Sequence, residues 1–496
     1  MTIKKKSDAG WCFDNSFAHL PEVFFSPVKP EPVRHAGQIL LNEKLAKDLG
    51  LNVEILRLDG PQVFAGNEIP SGAMPLAQAY AGHQFGHFTN LGDGRAILLG
   101  EHLTPDKQRV DVQLKGSGRT PYSRSGDGRA ALGPMIREYV ISEGMESLGI
   151  PTTRSLSVTA TGESVLRSTP LPGAILTRTA KSHIRVGTFQ YAAALGDKEN
   201  LSQLFVYTVD RHYPELRNAD DLPYAFFQAV LDRQADLVSR WMLVGFVHGV
   251  MNTDNVSIAG ETIDYGPCAF LDVYHPETVF SSIDHQGRYA FQNQPSITQW
   301  NLARLAESLV QVVPGNPEDA VGKFVEILET FPSCYEKYFQ TGANAKLGLT
   351  TMENEDSAIY SDLLKIMEES QLDFTETFVT LADGLEQSEA DPAEVDPEFS
   401  KVAGLSDWIK RWSQRLTREP GSVADAAKRM QTVNPVIIPR NLKVEEALIA
   451  ADLGDLEPTH RLLEALRSPF TKTKENEPYR KGASPGSKPY CTFCGT

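Results

Sequence analysis

The chain has few cysteines, no long hydrophobic run and no excess of basic residues. Five cysteines in 496 residues are too few for a disulfide framework in a protein of this length. No stretch approaches the ~20 consecutive apolar residues that a membrane-spanning helix requires. The formal charge of −16 argues against unspecific binding to nucleic acid or to an anionic membrane. We therefore expect a cytoplasmic protein that binds neither nucleic acid nor membranes.

Length and composition indicate a globular protein with more than one domain. A chain of 496 residues is too long for one compact core. Hydrophobic residues make up 41% and charged residues 23% of the chain, which is ordinary for a globular protein. Because the whole chain is acidic, a site for phosphate groups would need arginine and lysine to cluster locally.

The period of the apolar residues predicts a β-rich segment with one helix. RAILLGEHL and RVDVQLKGSG, separated by TPDKQ, predict a β-hairpin. Its second strand carries apolar residues on one face and Asp111, Gln113 and Lys115 on the other. MIREYVISEGMESLGI has helical spacing, with Gly149 as its stop signal.

Five segments follow from these patterns. We predict a wrapping N-terminal extension (1–80), a β-rich lobe (81–190), a helical lobe (191–400), a helical extension (401–470) and a flexible tail (471–496). Within the helical lobe, the acidic residues 382–400 predict a surface loop or linker.

The stretch HGVMNTDNVSIAGETIDYGP, residues 248–267, carries the first candidate site. If Ala259 and Gly260 form a two-residue hairpin turn, Asn255 lies opposite Asp264 on one face. An amide oxygen and a carboxylate make a partial shell for Mg²⁺, which takes its other ligands from water and phosphates. Asp254 then remains free to accept a proton from a hydroxyl. The alternative, polar residues that only form turns, is equally compatible with this stretch.

Two further groups of residues indicate phosphate binding. Lys115 on a strand and Glu138 on a helix have the order of the kinase ion pair, although such residues are more often ordinary surface residues. Two runs, NLGDGRAILLG and KGSGRTPYSRSGDGRAALG, contain glycines that permit concave rows of N–H groups. The arginines that could bind phosphate oxygens are Arg95, Arg178 and Arg185. The alternative is that the Asp-Gly pairs only turn hairpins, and neither run is a P-loop.

Taken together, the motifs resemble the selenoprotein O family, protein adenylyltransferases with a protein-kinase-like fold. The resemblance rests on YAGHQFGHFTNLGDGRAILLGE, QLKGSGRTPYSRSGDGRAALGPMIREY, SHIRVGTFQY, HGVMNTDNVSIAGETIDYGP, NPVIIPRN and the CxxC near position 494. It implies an α+β, bilobal fold with a small β-rich N-lobe, one key helix, a larger helical C-lobe and extensions at both termini. It also implies ATP bound in a flipped orientation, so that AMP passes to a Ser, Thr or Tyr hydroxyl and pyrophosphate is released.

The resemblance assigns roles residue by residue. It implies that Asp254 accepts the proton, that Asn255 and Asp264 bind Mg²⁺ or Mn²⁺, and that Glu138 positions Lys115. The implied nucleotide contacts are Gly92, Gly94, Arg95, Lys115, Asp127, Gly128, Arg178, Arg185 and Asp264. The base and the metal-binding asparagine are adjacent here, whereas five residues separate them in ordinary kinases. We expect a monomer that modifies proteins, including itself, with ATP or UTP as donor.

Three cysteines support a separate redox hypothesis. Some family members carry selenocysteine at the second position of the terminal CxxC, where this chain has Cys494. One tail cysteine, Cys491 or Cys494, could form a disulfide with Cys268 and hold the tail across the site. A buried Cys268 and a tail pair that closes on itself are the favoured alternative. An ordinary phosphotransferase and a redox-sensing, nucleotide-binding pseudoenzyme are the alternative functions.

Overall fold

The computed structural model describes residues 9–387, 399–483 and 490–492. These residues form a mixed α and β structure with an antiparallel sheet and many helices, as an α+β fold requires. The strands are β1 (Phe25–Pro27), β2 (Gly37–Leu41), β3 (Leu76–Gln78), β4 (Ala81–Gln84), β5 (His87–Asn90), β6 (Ala96–Leu103), β7 (Arg109–Lys115), β8 (Ala130–Ala131), β9 (Arg154–Leu166), β10 (Pro170–Ala180), β11 (Phe246–Val247) and β12 (Ala269–Phe270).

Most of the helices follow the main sheet in the chain. They are α1 (Glu43–Asp48), α2 (Val53–Leu58), α3 (Gly60–Phe64), α4 (Leu132–Ser147), α5 (Val186–Ala194), α6 (Lys198–His212), α7 (Leu222–Val244), α8 (Gln294–Leu309), α9 (Pro317–Leu328), α10 (Phe331–Lys346), α11 (Asp356–Glu369), α12 (Phe374–Gln387), α13 (Leu405–Leu416), α14 (Val423–Val433), α15 (Asn441–Asp452) and α16 (Glu457–Leu466). Among the described residues, no helix is both long and apolar enough to cross a membrane.

The main sheet has the strand order β1-β3-β6-β7-β10-β9-β2, and β8 pairs with β10. The predicted hairpin is confirmed as β6 and β7, with Ala96 opposite Lys115. Strands from the segment predicted as an N-terminal extension form both edges, since β1 pairs with β3 and β2 pairs with β9. That segment is therefore built into the sheet.

Helix α4 packs against β9 and β10, and the predicted stop residue Gly149 has a positive φ of 74°. Both faces of β7 are covered, because Asp111, Gln113 and Lys115 are buried as well as the apolar residues between them. The polar face of this strand thus points into the protein and supplies buried charge to its interior.

Helix α7 is the long core helix that the sequence predicted. Its buried residues include Phe227, Val230, Leu231, Leu237, Val238, Trp241 and Met242. All of them except Met242 join a large hydrophobic core that also contains residues of α4 and α8. Met242 belongs to a second core with residues of α11, α12 and α13. Gly245 ends the helix in a left-handed conformation with φ 73°, a common helix C-terminus. The chain then passes through β11 and enters the candidate site.

Two predictions about loops are wrong in the part of the chain that the structure describes. Residues 382–387 of the predicted acidic linker are helical, because α12 extends to Gln387; residues 388–398 lie outside the described residues. The tail is also packed where it is described. Thr492 is buried, and its Oγ1 donates hydrogen bonds to the carbonyl oxygens of Pro267 and Phe280 at 2.8 and 3.0 Å. Arg480 pairs with Glu376 at 2.6 Å.

Candidate active site

One cavity of about 510 Å³ brings the predicted site residues together. Its lining includes Gly92, Gly94, Arg95, Lys115, Asp127, Gly128, Arg178, Arg185, Asp254, Asn255 and Asp264. They come from the loop before β6, the ends of β7 and β10, the loop before β8, the start of α5 and the turn after β11. Residues distant in sequence therefore meet in one place, although their roles stay predictions.

Lys115, which lines this cavity, forms a buried ion pair with Glu138. Lys115 is the last residue of β7, and Glu138 lies on α4. Lys115 Nζ lies 2.5 Å from Glu138 Oε2 and 3.0 Å from Asp264 Oδ1. Only 7% of the lysine and 3% of the glutamate side chain is exposed. The surface alternative that the sequence left open for this pair is therefore excluded.

Asp264 is the centre of a cluster of basic side chains. Its Oδ1 accepts a hydrogen bond from Arg178 Nη1 at 2.6 Å, and its Oδ2 accepts one from Arg185 Nη1 at 3.1 Å. Burial alone would raise the pKa of Asp264, but Arg178, Lys115 and Arg185 hold it well below its ordinary value. The backbone φ of Asp264 is +63°, a left-handed conformation that is rare for a residue other than glycine.

Asp254 lies on a short 3₁₀ turn, Thr253–Asn255, and only 8% of it is exposed. Its Oδ1 is buried and has no hydrogen-bond partner among the described residues. Burial raises the pKa of Asp254 to about 6, and the positive charge of Arg185 opposes this effect. Asp254 lines the cavity, but its Oδ1 is covered by protein atoms, because Gly82 of the β4–β5 hairpin packs against it.

The β4–β5 hairpin packs against this turn and forms hydrogen bonds with it. The backbone N–H of His83 donates to Thr253 Oγ1 at 2.7 Å, and that of Phe85 donates to Asn252 Oδ1 at 3.0 Å. The hairpin approaches so closely that a Cβ on Gly82 would lie 2.3 Å from Asp254 Oδ1. The segment YAGHQFGH therefore positions the turn that carries Asp254.

The predicted hairpin between Asn255 and Asp264 is wrong. Ser257 forms an antiparallel bridge with Arg185, and Thr262 forms a parallel bridge with Thr152. The two sides of the predicted hairpin therefore pair with other parts of the chain. The backbone groups of each side form their hydrogen bonds there and are not left for pairing with each other. Asn255 and Asp264 still line one cavity.

The glycine-rich runs pack against each other. Gly92 has a φ of 127°, and a Cβ there would lie 2.4 Å from Tyr122 Cγ. Gly128 has a φ of 68°, and a Cβ there would lie 2.0 Å from the carbonyl oxygen of Gly118. Gly92 therefore packs against the second run, and Gly128 packs against Gly118 within that run. Both close contacts require glycine, in addition to any requirement of a ligand.

Basic residues outnumber acidic residues in the lining of the cavity. The basic ones are Arg95, Lys115, Arg129, Arg167, Arg178 and Arg185, and the acidic ones are Asp93, Asp127, Asp254 and Asp264. In a chain with a formal charge of −16, this local excess of positive charge favours a polyanionic ligand.

Comparison with known proteins identifies the family of the chain. Residues 10–467 match the family described as protein adenylyltransferase SelO. The chain belongs to the SelO family. It is 55% identical over 491 residues to protein nucleotidyltransferase YdiU of Anoxybacillus flavithermus, covering 99% of this chain and 100% of that protein. The protein of the same name from Syntrophotalea carbinolica is 53% identical over 489 residues, 98% of each chain.

Three residues of this SelO family member escaped the sequence analysis. Asp93 accepts a hydrogen bond from the backbone N–H of Gln78 at 3.0 Å, and burial raises its pKa to about 6. Tyr80 lies under the guanidinium of Arg185, 4.4 Å from Cζ to the ring centre. Arg167 pairs with Asp127 at 2.9 Å. Asp93 stands between Gly92 and Gly94 of the first glycine-rich run, whereas the sequence around Arg167 carries no comparable signal.

The oxygen donors of this SelO family member fit a hard divalent cation. Asp264 supplies a carboxylate and Asn255 an amide oxygen, and both residues line the same cavity. No cluster of three or more His, Cys, Asp or Glu side chains suited to a metal occurs in the described part of the chain. A small protein donor set is typical of Mg²⁺ sites, in which substrate phosphates and water supply the remaining ligands.

Cys268 is fully buried in the core of this SelO family member. This is the alternative that the sequence analysis favoured over a disulfide to the tail. Cys491 is exposed, and Cys494 lies outside the described residues. The cross-link between Cys268 and the tail stays a prediction, and it would require Cys268 to become accessible.

Proposed function

We propose that this SelO family member transfers AMP from ATP to Ser, Thr or Tyr hydroxyls of proteins, including itself. We also propose that it has a kinase-like, two-lobed arrangement and acts as a cytoplasmic monomer. Family membership supports nucleotidyl transfer, and the names of the relatives suggest protein acceptors. The finer points, AMP as the group and a hydroxyl as the acceptor, rest on the residues of the site.

The observation that carries the proposal is one cavity with two separate chemical regions. The first contains Lys115, Arg178 and Arg185, whose side chains converge on Asp264 within 3.1 Å. The second contains Asp254, which lines the same cavity and whose pKa burial raises to about 6. A transfer to a hydroxyl needs both, because cations stabilise the phosphate charge and a carboxylate accepts the proton.

The proposed reaction balances with these residues. The acceptor oxygen attacks the α-phosphorus of ATP, a new P–O bond forms, and the bond between the α-phosphorus and the bridging oxygen breaks. Pyrophosphate leaves with that oxygen. The proton of the hydroxyl passes to the carboxylate of Asp254. Lys115, Arg178 and Arg185 hold the phosphate oxygens, and Glu138 keeps Lys115 in place.

Asn255 and Asp264 would hold Mg²⁺ or Mn²⁺. When bound, the ion neutralises phosphate charge, as divalent cations do in phosphoryl and nucleotidyl transfer. Asp264 would then be shared between this ion and the basic side chains that surround it. A fixed carboxylate with a low pKa suits that position, since it stays ionised at neutral pH.

Labelled nucleotides test the proposal. The purified protein is incubated with Mg²⁺ or Mn²⁺ and with ATP labelled at the α-phosphate or at the γ-phosphate, and incorporation into protein is measured. We expect α-label in the enzyme itself and in added protein, and no γ-label. A parallel incubation with α-labelled UTP measures donor preference.

The Lys115–Glu138 ion pair is shared with protein kinases, so phosphotransfer is the second candidate. Incorporation of γ-label, with an added mass of one phosphate, would establish that activity instead. Nucleotide binding without incorporation of either label would favour a nucleotide-binding pseudoenzyme.

A further inference from the structure

A second and larger cavity, of about 780 Å³, is separate from the candidate active site. The two cavities share no lining residue. Its walls come from the β6–β7 loop, the residue after β10, the end of α6, the middle of α7 and the turn at Ala259 and Gly260. That turn lies between Asn255 and Asp264 in the chain, so the second cavity borders the segment that carries the candidate metal ligands.

The charge of this lining is also mainly positive. Its basic residues are Lys107, Arg109, Lys181, Arg211 and Arg233, and its acidic residues are Asp210 and Asp236. Each of the two acidic residues has its own partner, since Arg217 lies 2.5 Å from Asp210 and Arg240 lies 3.0 Å from Asp236.

Three of the cations form no ion pair of this kind, although the buried carboxyl of Glu261 interacts with Lys181 at longer range and accepts a hydrogen bond from its backbone N–H at 2.9 Å. Among the described residues, no carboxylate oxygen lies within 4.0 Å of a side-chain nitrogen of Lys107, Lys181 or Arg233. The side chain of Arg233 is held in place, because its guanidinium lies 3.9 Å from the ring centre of Tyr213 and donates to the carbonyl oxygen of His212 at 2.9 Å. The lining therefore offers positive charge to a ligand that carries several negative charges.

The floor of the second cavity is joined to the active site by buried polar contacts. Arg211 Nη2 donates to Asp111 Oδ1 at 2.6 Å. The other oxygen of Asp111 accepts from the backbone N–H and from Nδ1 of His183, at 2.8 and 2.9 Å. Arg185 Nε donates to the carbonyl oxygen of His183 at 3.3 Å. The same guanidinium reaches Asp264 through Nη1.

We propose that the second cavity binds a polyphosphate anion, either free or as part of a nucleotide, and that its occupancy alters nucleotide affinity at the first site. The anion contacts Lys107, Lys181 and Arg233. The contacts Arg211–Asp111–His183–Arg185 transmit the effect to Asp264. Binding at this cavity is independent of the proposed adenylyl transfer; the coupling requires only that the first cavity binds nucleotide.

Binding stoichiometry tests the site. Isothermal titration of the full chain with inorganic tripolyphosphate, and separately with a non-hydrolysable ATP analogue, gives the number of sites and their affinities. We compare the wild type with the double variant Lys107→Gln/Lys181→Gln, which replaces two exposed side chains and leaves the fold intact. The control Lys44→Gln/Lys365→Gln removes the same charge from exposed side chains elsewhere.

We expect two tripolyphosphate sites in the wild type and in the control, and one of them weakened about tenfold or more in Lys107→Gln/Lys181→Gln. Lys115→Ala should weaken the other site, in the candidate active-site cavity.

If the ATP analogue also fills two sites, the ligand of the second cavity is a nucleotide; if it fills one, the ligand is free polyphosphate. One tripolyphosphate site in the wild type, or two unchanged sites in the double variant, overturns the proposal. Binding of a glutamate-rich peptide in place of tripolyphosphate would also overturn it and would indicate an acceptor-docking surface.

A separate titration tests whether binding at the second cavity alters nucleotide affinity at the first. Affinity for the ATP analogue is measured over a range of tripolyphosphate concentrations in the wild type and in Lys107→Gln/Lys181→Gln. Competition at the first cavity affects both proteins equally, so any difference between their curves reports the second cavity. Identical curves, with the second site shown to bind, would overturn the coupling and leave adenylyl transfer untouched.

Discussion

Arg185 Nη1 lies 3.1 Å from Asp264 Oδ2. The same nitrogen donates to the backbone carbonyl oxygen of Asp254 at 2.9 Å. One guanidinium therefore fixes the distance between the two acidic residues to which we assign metal binding and proton acceptance.

Arg185→Lys should disrupt both contacts, because a lysine ammonium cannot reproduce the planar geometry of the guanidinium. We expect nucleotide affinity to fall about tenfold and transfer to fall further. Nucleotide titration and initial rates measure the two effects. Arg411→Lys, at an arginine that is 52% exposed, serves as the control. Wild-type rates in Arg185→Lys would show that the bridge is dispensable.

Asp254→Asn should lower transfer by about 10²- to 10⁴-fold, since the amide cannot accept the proton of the hydroxyl. Nucleotide affinity should stay near that of the wild type, because the basic cluster is untouched. Single-turnover rates and nucleotide titration separate the two quantities. If affinity fell as severely as in Asp264→Ala, the proposed division of roles would be wrong.

Asp264→Ala should abolish transfer together with the dependence of nucleotide binding on a divalent metal, because the site loses its metal-binding carboxylate. Lys115 and Arg178 keep Glu138 as a partner, but Arg185 loses its closest carboxylate. The loss of this buried ion pair should also destabilise the protein, by about 3 kcal/mol. Thermal unfolding and nucleotide titration with and without Mg²⁺ check both effects. A variant that still responds to Mg²⁺ would show that the metal is held elsewhere.

Gly82→Ala should impair transfer by displacing Asp254, since the new Cβ would lie 2.3 Å from Oδ1 of that residue. A displacement of about 1 Å at a reacting group can lower the rate about 100-fold. Nucleotide affinity should change little. Gly322→Ala, where a Cβ meets no atom within 4 Å, should leave the rate unchanged. Equal rates in both variants would contradict the assigned role of the β4–β5 hairpin.

Lys346 should make stability depend on pH. Burial lowers its pKa from 10.5 to about 7, and its Nζ donates to Asn434 Oδ1 at 2.8 Å. Between pH 7 and 10 the unfolded chain then binds more protons at this residue than the folded chain does, so its contribution to stability rises with pH. The melting temperature of the wild type relative to Lys346→Met should therefore rise from pH 7 to 10.

Lys365→Met is the control for that comparison, because 72% of the Lys365 side chain is exposed. The difference in melting temperature between the wild type and Lys365→Met should be the same at each pH. The melting temperature of the wild type relative to Lys346→Met could instead stay constant or fall from pH 7 to 10. That result would show that Lys346 is charged in the folded protein.

Local patterns predicted the elements that local contacts determine. The β6–β7 hairpin and α4 follow from alternation and helical spacing within short windows, and Lys115 and Glu138 lie on them. Pairing between distant segments was not predictable from such windows. Ser257 pairs with Arg185 and Thr262 with Thr152, so the local turn at Gly260 did not determine the register.

The contacts of the tail were also not predictable from the local sequence. Its composition lacks apolar residues, which usually predicts disorder, yet Thr492 is buried through hydrogen bonds to carbonyl oxygens of the segment that follows Asp264. Such contacts depend on backbone groups that any sequence offers. Composition therefore carried no signal for them, whereas the motif match did indicate the candidate site.

The bond from Thr492 to the carbonyl oxygen of Pro267 joins positions 225 residues apart. A ribosome makes Pro267 long before Thr492, and domains start to fold during synthesis from the N-terminal side. The wall beside Asp264 therefore acquires this support only after residue 492 has been translated. A growing chain that already contains every residue lining the candidate active site would still lack this hydrogen bond. The order of translation therefore separates the synthesis of the cavity lining from the formation of this support.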